Sequence, residues 1–212
     1  MTNKQRALAV SAALSEKYPA EACGLVWSGD PYRLLIMAIL SAQCTDARVN
    51  LVAPPLFEKY PTPADMAAAD LTELENAIRS VGLYRSKALA IRECCARLVS
   101  EYGGKVPPAM EDLLTLRGVG RKVANLIRGD VFGLGGIVAD THCIRISGRL
   151  GLAGGKDPLE TERSLEKLIP LEDQSAFCHR LVLFGREVCT ARSPRCGDCV
   201  LYDYCRNKAD AR

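Results

Sequence analysis

The chain has 212 residues, 48% of them hydrophobic and 25% charged, so it can bury a substantial core and is not a disordered polymer. Only 6% are aromatic, Leu and Ala are abundant, and no alternating run of β-branched residues persists, which argues against a sheet protein and predicts an all-α fold. A net charge of +3 and a pI near 8.3 are compatible with a polyanionic partner without identifying one.

In chain order, Lys4 and Arg6 precede an apolar run, Ala7 to Leu14, that superficially resembles an export signal. Glu16 and Lys17 interrupt it with no small-residue cleavage site, so a first amphipathic helix is expected instead. Nothing in the sequence is apolar for long enough to span a bilayer. Helical spacing continues with breaks at Pro19, Ser28 to Pro31, Pro54-Pro55, Pro61 to Pro63, Val81 to Leu83, Gly103-Gly104, Pro107-Pro108, Gly133 to Gly136 and Gly154-Gly155. About ten short helices follow. Asp30 as N-cap with Pro31 at the first helical position starts a helix through Ile36, Ile39 and Leu40 that is expected to run on towards Asp46.

Leu113 to Ile127 holds two apolar helical stretches joined by Gly118-Val119-Gly120, the helix-hairpin-helix pattern. Its glycines permit a tight turn and close approach of the main chain, so amides at the start of the second helix can meet a phosphate. Arg117, Arg121, Lys122 and Arg128 surround the turn and fit the same role, which gives affinity without reading base sequence. A lone Gly-x-Gly would be read as an ordinary tight turn, but the flanking apolar spacing and Ala124 favour contact with DNA.

Lys122 stands in the first turn of the second hairpin helix, and a neutral amine there can attack a sugar carbon and form a Schiff base. Asp140 follows 18 residues later, in Val138 to His142, where a carboxylate can stabilise positive charge on the sugar and help deprotonate the lysine. Alone, the lysine would be a phosphate contact and the aspartate a helix cap. Near the C-terminus, Cys189, Cys196, Cys199 and Cys205 are separated by six, two and five residues. Four thiolates that close together need a cation, and structural zinc sites more often pair two short Cys-x-x-Cys knuckles. The other cysteines, Cys23, Cys44, Cys94, Cys95, Cys143 and Cys178, lack ligand spacing and read as small buried hydrophobes in a reduced protein.

Leu-x-Gly-Val-Gly-Arg-Lys followed by Val-Ala-Asp-Thr-His resembles the endonuclease III family of DNA glycosylases over nearly the whole chain. The resemblance implies that Lys122 is the nucleophile, that Asp140 is the essential acidic residue, and that the four C-terminal cysteines hold a 4Fe-4S cluster. It also implies that Gln43 fills the space left by a flipped base and that Leu83 wedges into the stack. Arg117 departs from the pattern, because the family usually has proline before the hairpin glycine.

The expected fold is all-α with two helical lobes and a DNA cleft between them. The resemblance implies a six-helix domain over 24–133 that carries the hairpin at 113–127, and an iron–sulfur cluster domain that combines 1–23 with 134–212, its cluster loop at 189–205. Lys122 and Asp140 would face the cleft from opposite lobes. The expected protein is a cytoplasmic, nucleoid-associated monomer whose partner is damaged double-stranded DNA. Its expected activity is that of a bifunctional glycosylase and AP lyase, removing oxidised pyrimidines through a lysine Schiff base and cutting the strand by β-elimination. Two rivals are a monofunctional glycosylase that uses water and a non-catalytic DNA-binding module with structural zinc. The first leaves Lys122 without a task, and the second leaves both Lys122 and Asp140 unexplained.

Overall fold

Among the described residues, seven helix starts carry a side chain that accepts an amide hydrogen bond from two or three residues further on: Thr2, Asp30, Thr45, Thr62, Asp70, Asp140 and Asp157. Such caps satisfy donors that the first turn of a helix leaves over. A computed structural model of the chain describes residues 1–19 and 23–208; residues 20–22 and 209–212, which belong to the segments expected at 1–23 and 134–212, lie outside it. Among the described residues the fold is all helical, without a strand.

The chain divides into two units. Met1–Ala22 with Gly133–Arg212 holds α1 (Asn3–Lys17), while Cys23–Phe132 holds α2 (Pro31–Leu40), α3 (Asp46–Lys59), α4 (Pro63–Ala67), α5 (Leu71–Ala77), α6 (Tyr84–Tyr102), α7 (Met110–Thr115) and α8 (Arg121–Phe132). The first unit then resumes with α9 (Thr141–Leu150), α10 (Pro158–Glu166) and α11 (Gln174–Glu187), followed by 3-10 turns at Cys196–Asp198 and Tyr202–Tyr204. In Cys23–Phe132, α2 is buried from Leu34 to Leu40 and packs on α3, α6 and α8, as a helix that is apolar on every side must. In the other unit, Ala7, Val10 and Leu14 of α1 are buried, α11 buries Phe177, Leu181 and Phe184, and the two helices pack together.

Two local expectations are corrected. The helix begun at Asp30 stops at Leu40 instead of running on towards Asp46, because Gln43 takes a left-handed backbone conformation and Thr45 caps a new helix. Pro54-Pro55 does not break the chain, since both lie inside α3. A proline inside a helix costs about 3 kcal/mol. Here the two rings are exposed, while Val49, Val52, Ala53, Leu56 and Phe57 bury the opposite stripe and hold the helix together.

Candidate nucleic-acid interface and metal centre

The hairpin is formed by α7 and α8, which pack together around the turn at Leu116 to Gly120. The Val119 amide donates to the Leu116 carbonyl at 3.1 Å, and the Ala124 amide donates to the Gly120 carbonyl at 2.9 Å. The two glycines are there for different reasons. Gly118 has φ +83°, and a Cβ on it would stand 3.1 Å from Ile39 Cγ2 and 3.2 Å from Ala90 Cβ. Gly120 has neither constraint, because a Cβ there would meet nothing within 4 Å. Its bare backbone therefore faces open space beside the leading turn of α8, where helix amides lack intrahelical acceptors. Val119 is buried and anchors the turn, while Arg121 and Lys122 are exposed just beyond it. Arg117 is also exposed, but its guanidinium forms an ion pair with Glu93 of α6.

Gln43 and Leu83 hold left-handed conformations, with φ +53° and +59°. Such a backbone is unusual for a bulky residue, and strain of this kind gathers at functional positions. Leu83, at the start of α6, is 58% exposed despite its apolar side chain. The turns that carry the two residues are neighbours, since a Cβ on Gly82 would lie 3.5 Å from the Gln43 carbonyl oxygen.

Asp140 is half-buried at the start of α9, where Oδ1 accepts the Cys143 amide at 2.7 Å. The capping and functional readings of this residue are compatible. One oxygen fixes the carboxylate, and among the described residues no hydrogen bond reaches the other. His142 Nδ1 lies 3.1 Å from the Arg145 guanidinium, a structural contact.

The four C-terminal cysteines line one cavity of about 60 Å³, together with Arg149 and Tyr202. Burial pushes the Cys199 thiol up, against a backbone hydrogen bond from Leu201, and four thiolates gathered on one cavity would repel one another without a cation between them. A single tetrahedral zinc, with bonds of about 2.3 Å, would bring its sulfurs about 3.8 Å apart. Among the described residues, no three of these four sulfurs lie within 4.8 Å of one another, wider than a single zinc would hold them. Arg149, on α9, holds the loop from within the unit. Its guanidinium donates to Cys189 Sγ at 3.1 Å and to the carbonyls of Thr190 at 2.8 Å and Ala191 at 3.0 Å. Its own carbonyl accepts the Arg206 and Asn207 amides.

Residues 36–171 match the family model described as HhH-GPD superfamily base excision DNA repair protein, and residues 189–205 match the iron–sulfur binding domain of endonuclease III. The chain is 46% identical to endonuclease III of Synechocystis, over 96% of this chain and 93% of that one. It is 38% identical to endonuclease III of Escherichia coli, over 97% of each. The chain belongs to the endonuclease III family. A solved structure of a trapped covalent endonuclease III–DNA intermediate matches with a TM-score of 0.91 at 46% identity, covering 98% of this chain and 97% of that one. A thermostable thymine-DNA glycosylase, 23% identical with a TM-score of 0.85, shares the fold over 96% of each chain.

The endonuclease III family carries a 4Fe-4S cluster, and the cysteine cavity fits that cofactor. Within this family frame, two side chains stand out that sequence reasoning passed over. Arg149 ties α9 to the cluster loop, but in sequence it is one arginine among many. Lys87 did leave a signal. It falls in step with Ile91, Cys94 and Leu98 on the buried stripe of α6, an unusual place for a cation.

Proposed function

We propose that this chain is a bifunctional DNA glycosylase and AP lyase that removes oxidised pyrimidines from duplex DNA, with Lys122 as nucleophile and Asp140 as the essential carboxylate. The carrying observation is the exposed amine of Lys122 in the leading turn of α8, beside the open backbone of Gly120. Gly118, Val119 and Gly120 shape a turn whose amides, with Arg121, hold a DNA phosphate. Gln43 and Leu83, presented on adjacent left-handed turns, enter the duplex where the damaged nucleotide leaves it.

The neutral amine of Lys122 attacks C1′ of the deoxyribose as the bond from C1′ to the base nitrogen breaks. The departing base takes the electron pair and then a proton from water, while the amine proton passes to a carboxylate, the role given to Asp140. The C1′–O4′ bond then breaks as the nitrogen lone pair forms an iminium at C1′, O4′ takes the proton held by the carboxylate, and the iminium acidifies the C2′ hydrogen. Loss of that proton expels the 3′ phosphate by β-elimination and cuts the strand. Positive charge on the sugar as the base departs is stabilised by the same carboxylate.

Cys189, Cys196, Cys199 and Cys205 hold the cluster, which when bound supplies the core around which their loop folds. Arg192, exposed on that loop, offers a further cation to the DNA backbone. Among the described residues no helix is long and apolar enough to cross a membrane. A duplex substrate of this kind is met on chromosomal DNA.

Borohydride trapping on a duplex with one oxidised pyrimidine tests the assignment. Wild type is expected to form a covalent adduct, and Lys122→Ala none. Excision without an adduct from either protein would make water the nucleophile, and adduct formation by Lys122→Ala would move the role to another amine.

A further inference from the structure

Lys87 is 5% exposed within α6, and its ammonium donates to the Leu40 carbonyl at 2.8 Å. An ammonium this buried costs folding free energy that a leucine or methionine filling the same space would not. Burial also lowers its pKa, the penalty seen from the proton's side. A residue that only filled the core would therefore not be a lysine.

What the ammonium holds is the end of α2. The Met37 carbonyl accepts the Ser41 amide at 2.9 Å, the Ala38 carbonyl accepts the Ser41 hydroxyl at 2.8 Å, and the Ile39 carbonyl accepts the Ala42 amide at 3.4 Å. Leu40, the last residue of the helix, receives its hydrogen bond from Lys87. A cation at a helix C-terminus also meets the negative end of the helix dipole. Three residues further on stands Gln43, in its left-handed turn.

The same lysine is tied to the other exposed turn, because its backbone amide donates to the Leu83 carbonyl at 3.0 Å. Its side chain thus reaches the chain that leads into Gln43, and its backbone holds the residue that is Leu83. Gly82, against the Gln43 carbonyl, leaves the turns space to lie side by side.

We propose that Lys87 is a positioning residue for base extrusion: by clamping the last carbonyl of α2 from inside α6, it sets the spacing between the Gln43 turn and the Leu83 turn. The proposal rests on the reading that these two residues enter the duplex. Lys87 itself touches no DNA. It presents both residues already in place, so that separating the bases does not also require ordering the turns.

The test compares two substrates with the full holoenzyme: a duplex carrying one thymine glycol, and the same duplex with a pre-formed abasic site from which no base need be extruded. Lys87→Met keeps the apolar stem and removes the donor. Loss of a hydrogen bond from a charged group predicts single-turnover excision from the intact duplex at least about tenfold slower. Borohydride trapping on the abasic duplex is expected to fall by less than about threefold, since the amine chemistry is untouched. In a Gln43→Ala background the same substitution should add less than about threefold, because residues that act through one another are not additive.

Equal losses on both substrates would make Lys87 a stability residue only, and fully multiplicative losses with Gln43→Ala would separate it from that turn. Either result, or an unchanged rate, overturns the proposal. If Gln43→Ala and Leu83→Ala alone leave excision at the wild-type rate, the insertion reading itself falls. Each rate is divided by that variant's abasic trapping, which cancels any loss of folded enzyme. Should Lys87→Met not purify, Lys87→Gln, too short to hold the same clamp, carries the comparison.

Discussion

The hairpin turn and the cluster loop are both irregular backbone, yet they are held by opposite means. The hairpin rests on a core: Val119 is buried, Gly118 fits against Ile39 and Ala90, and α8 packs on α2. Within the cluster loop Leu201 alone is fully buried, with Tyr204 partly buried against the same core, and the loop is organised by short turns, the Arg149 guanidinium and four cysteines around a cavity. A turn built on packed side chains keeps its shape when its ligand leaves, whereas a loop whose centre is a metal cluster depends on that cluster.

Removing iron gives the largest expected contrast. Cys199→Ala, or chelation of the purified protein, should abolish the cluster's visible absorbance and expose 189–205 to protease while the helices of 23–132 stay protected. Equal protection of the loop with and without iron would show that it folds unaided. Gly118→Ala comes next, with an expected loss of about 3 kcal/mol in urea unfolding, from the left-handed backbone and the crowded Cβ together. A cost near zero would mean that the turn can shift.

Arg149→Met should weaken the loop by about 2 kcal/mol, read as faster amide exchange across 189–205 with little change in α7 and α8. Gly120→Ala should cost less than about 1 kcal/mol of stability, yet it should weaken binding to duplex DNA because the new methyl occupies the open approach. Unchanged affinity would move the phosphate contact elsewhere. The smallest effect is expected from Arg117→Ala, at about 0.5 kcal/mol or less, since the ion pair with Glu93 is exposed on both sides. A large drop in DNA affinity with that variant would show that Arg117 leaves Glu93 for a phosphate.

Much of this was legible wherever the controlling interaction is local. Asp30 and Pro31 start α2, and Gly103 ends α6 in a left-handed cap, as short-range backbone chemistry requires. The Gly118-Val119-Gly120 turn and the spacing of the four cysteines could be recognised in the same way. Pro54-Pro55 was misleading because local propensity assigns a break there, while the buried stripe from Val49 to Phe57 keeps the helix whole. The stop of α2 at Leu40 was missed although Thr45 offers a local cap for the next helix, and what the sequence hid is the partner of the Leu40 carbonyl, 47 residues further along the chain.

By itself, the amino-acid sequence determined the all-helical class, the family and the hairpin motif, and it singled out the residues to which a chemical role is proposed. Each of these depends on spacing along the chain and on the chemistry of the side chains themselves. Only the tertiary structure decided that Gly118 serves packing while Gly120 stays open, that Arg117 is paired with Glu93, and that a buried lysine joins two exposed turns. Those facts depend on which distant residue fills the neighbouring space, and hydrophobic burial settles that for the folded chain as a whole.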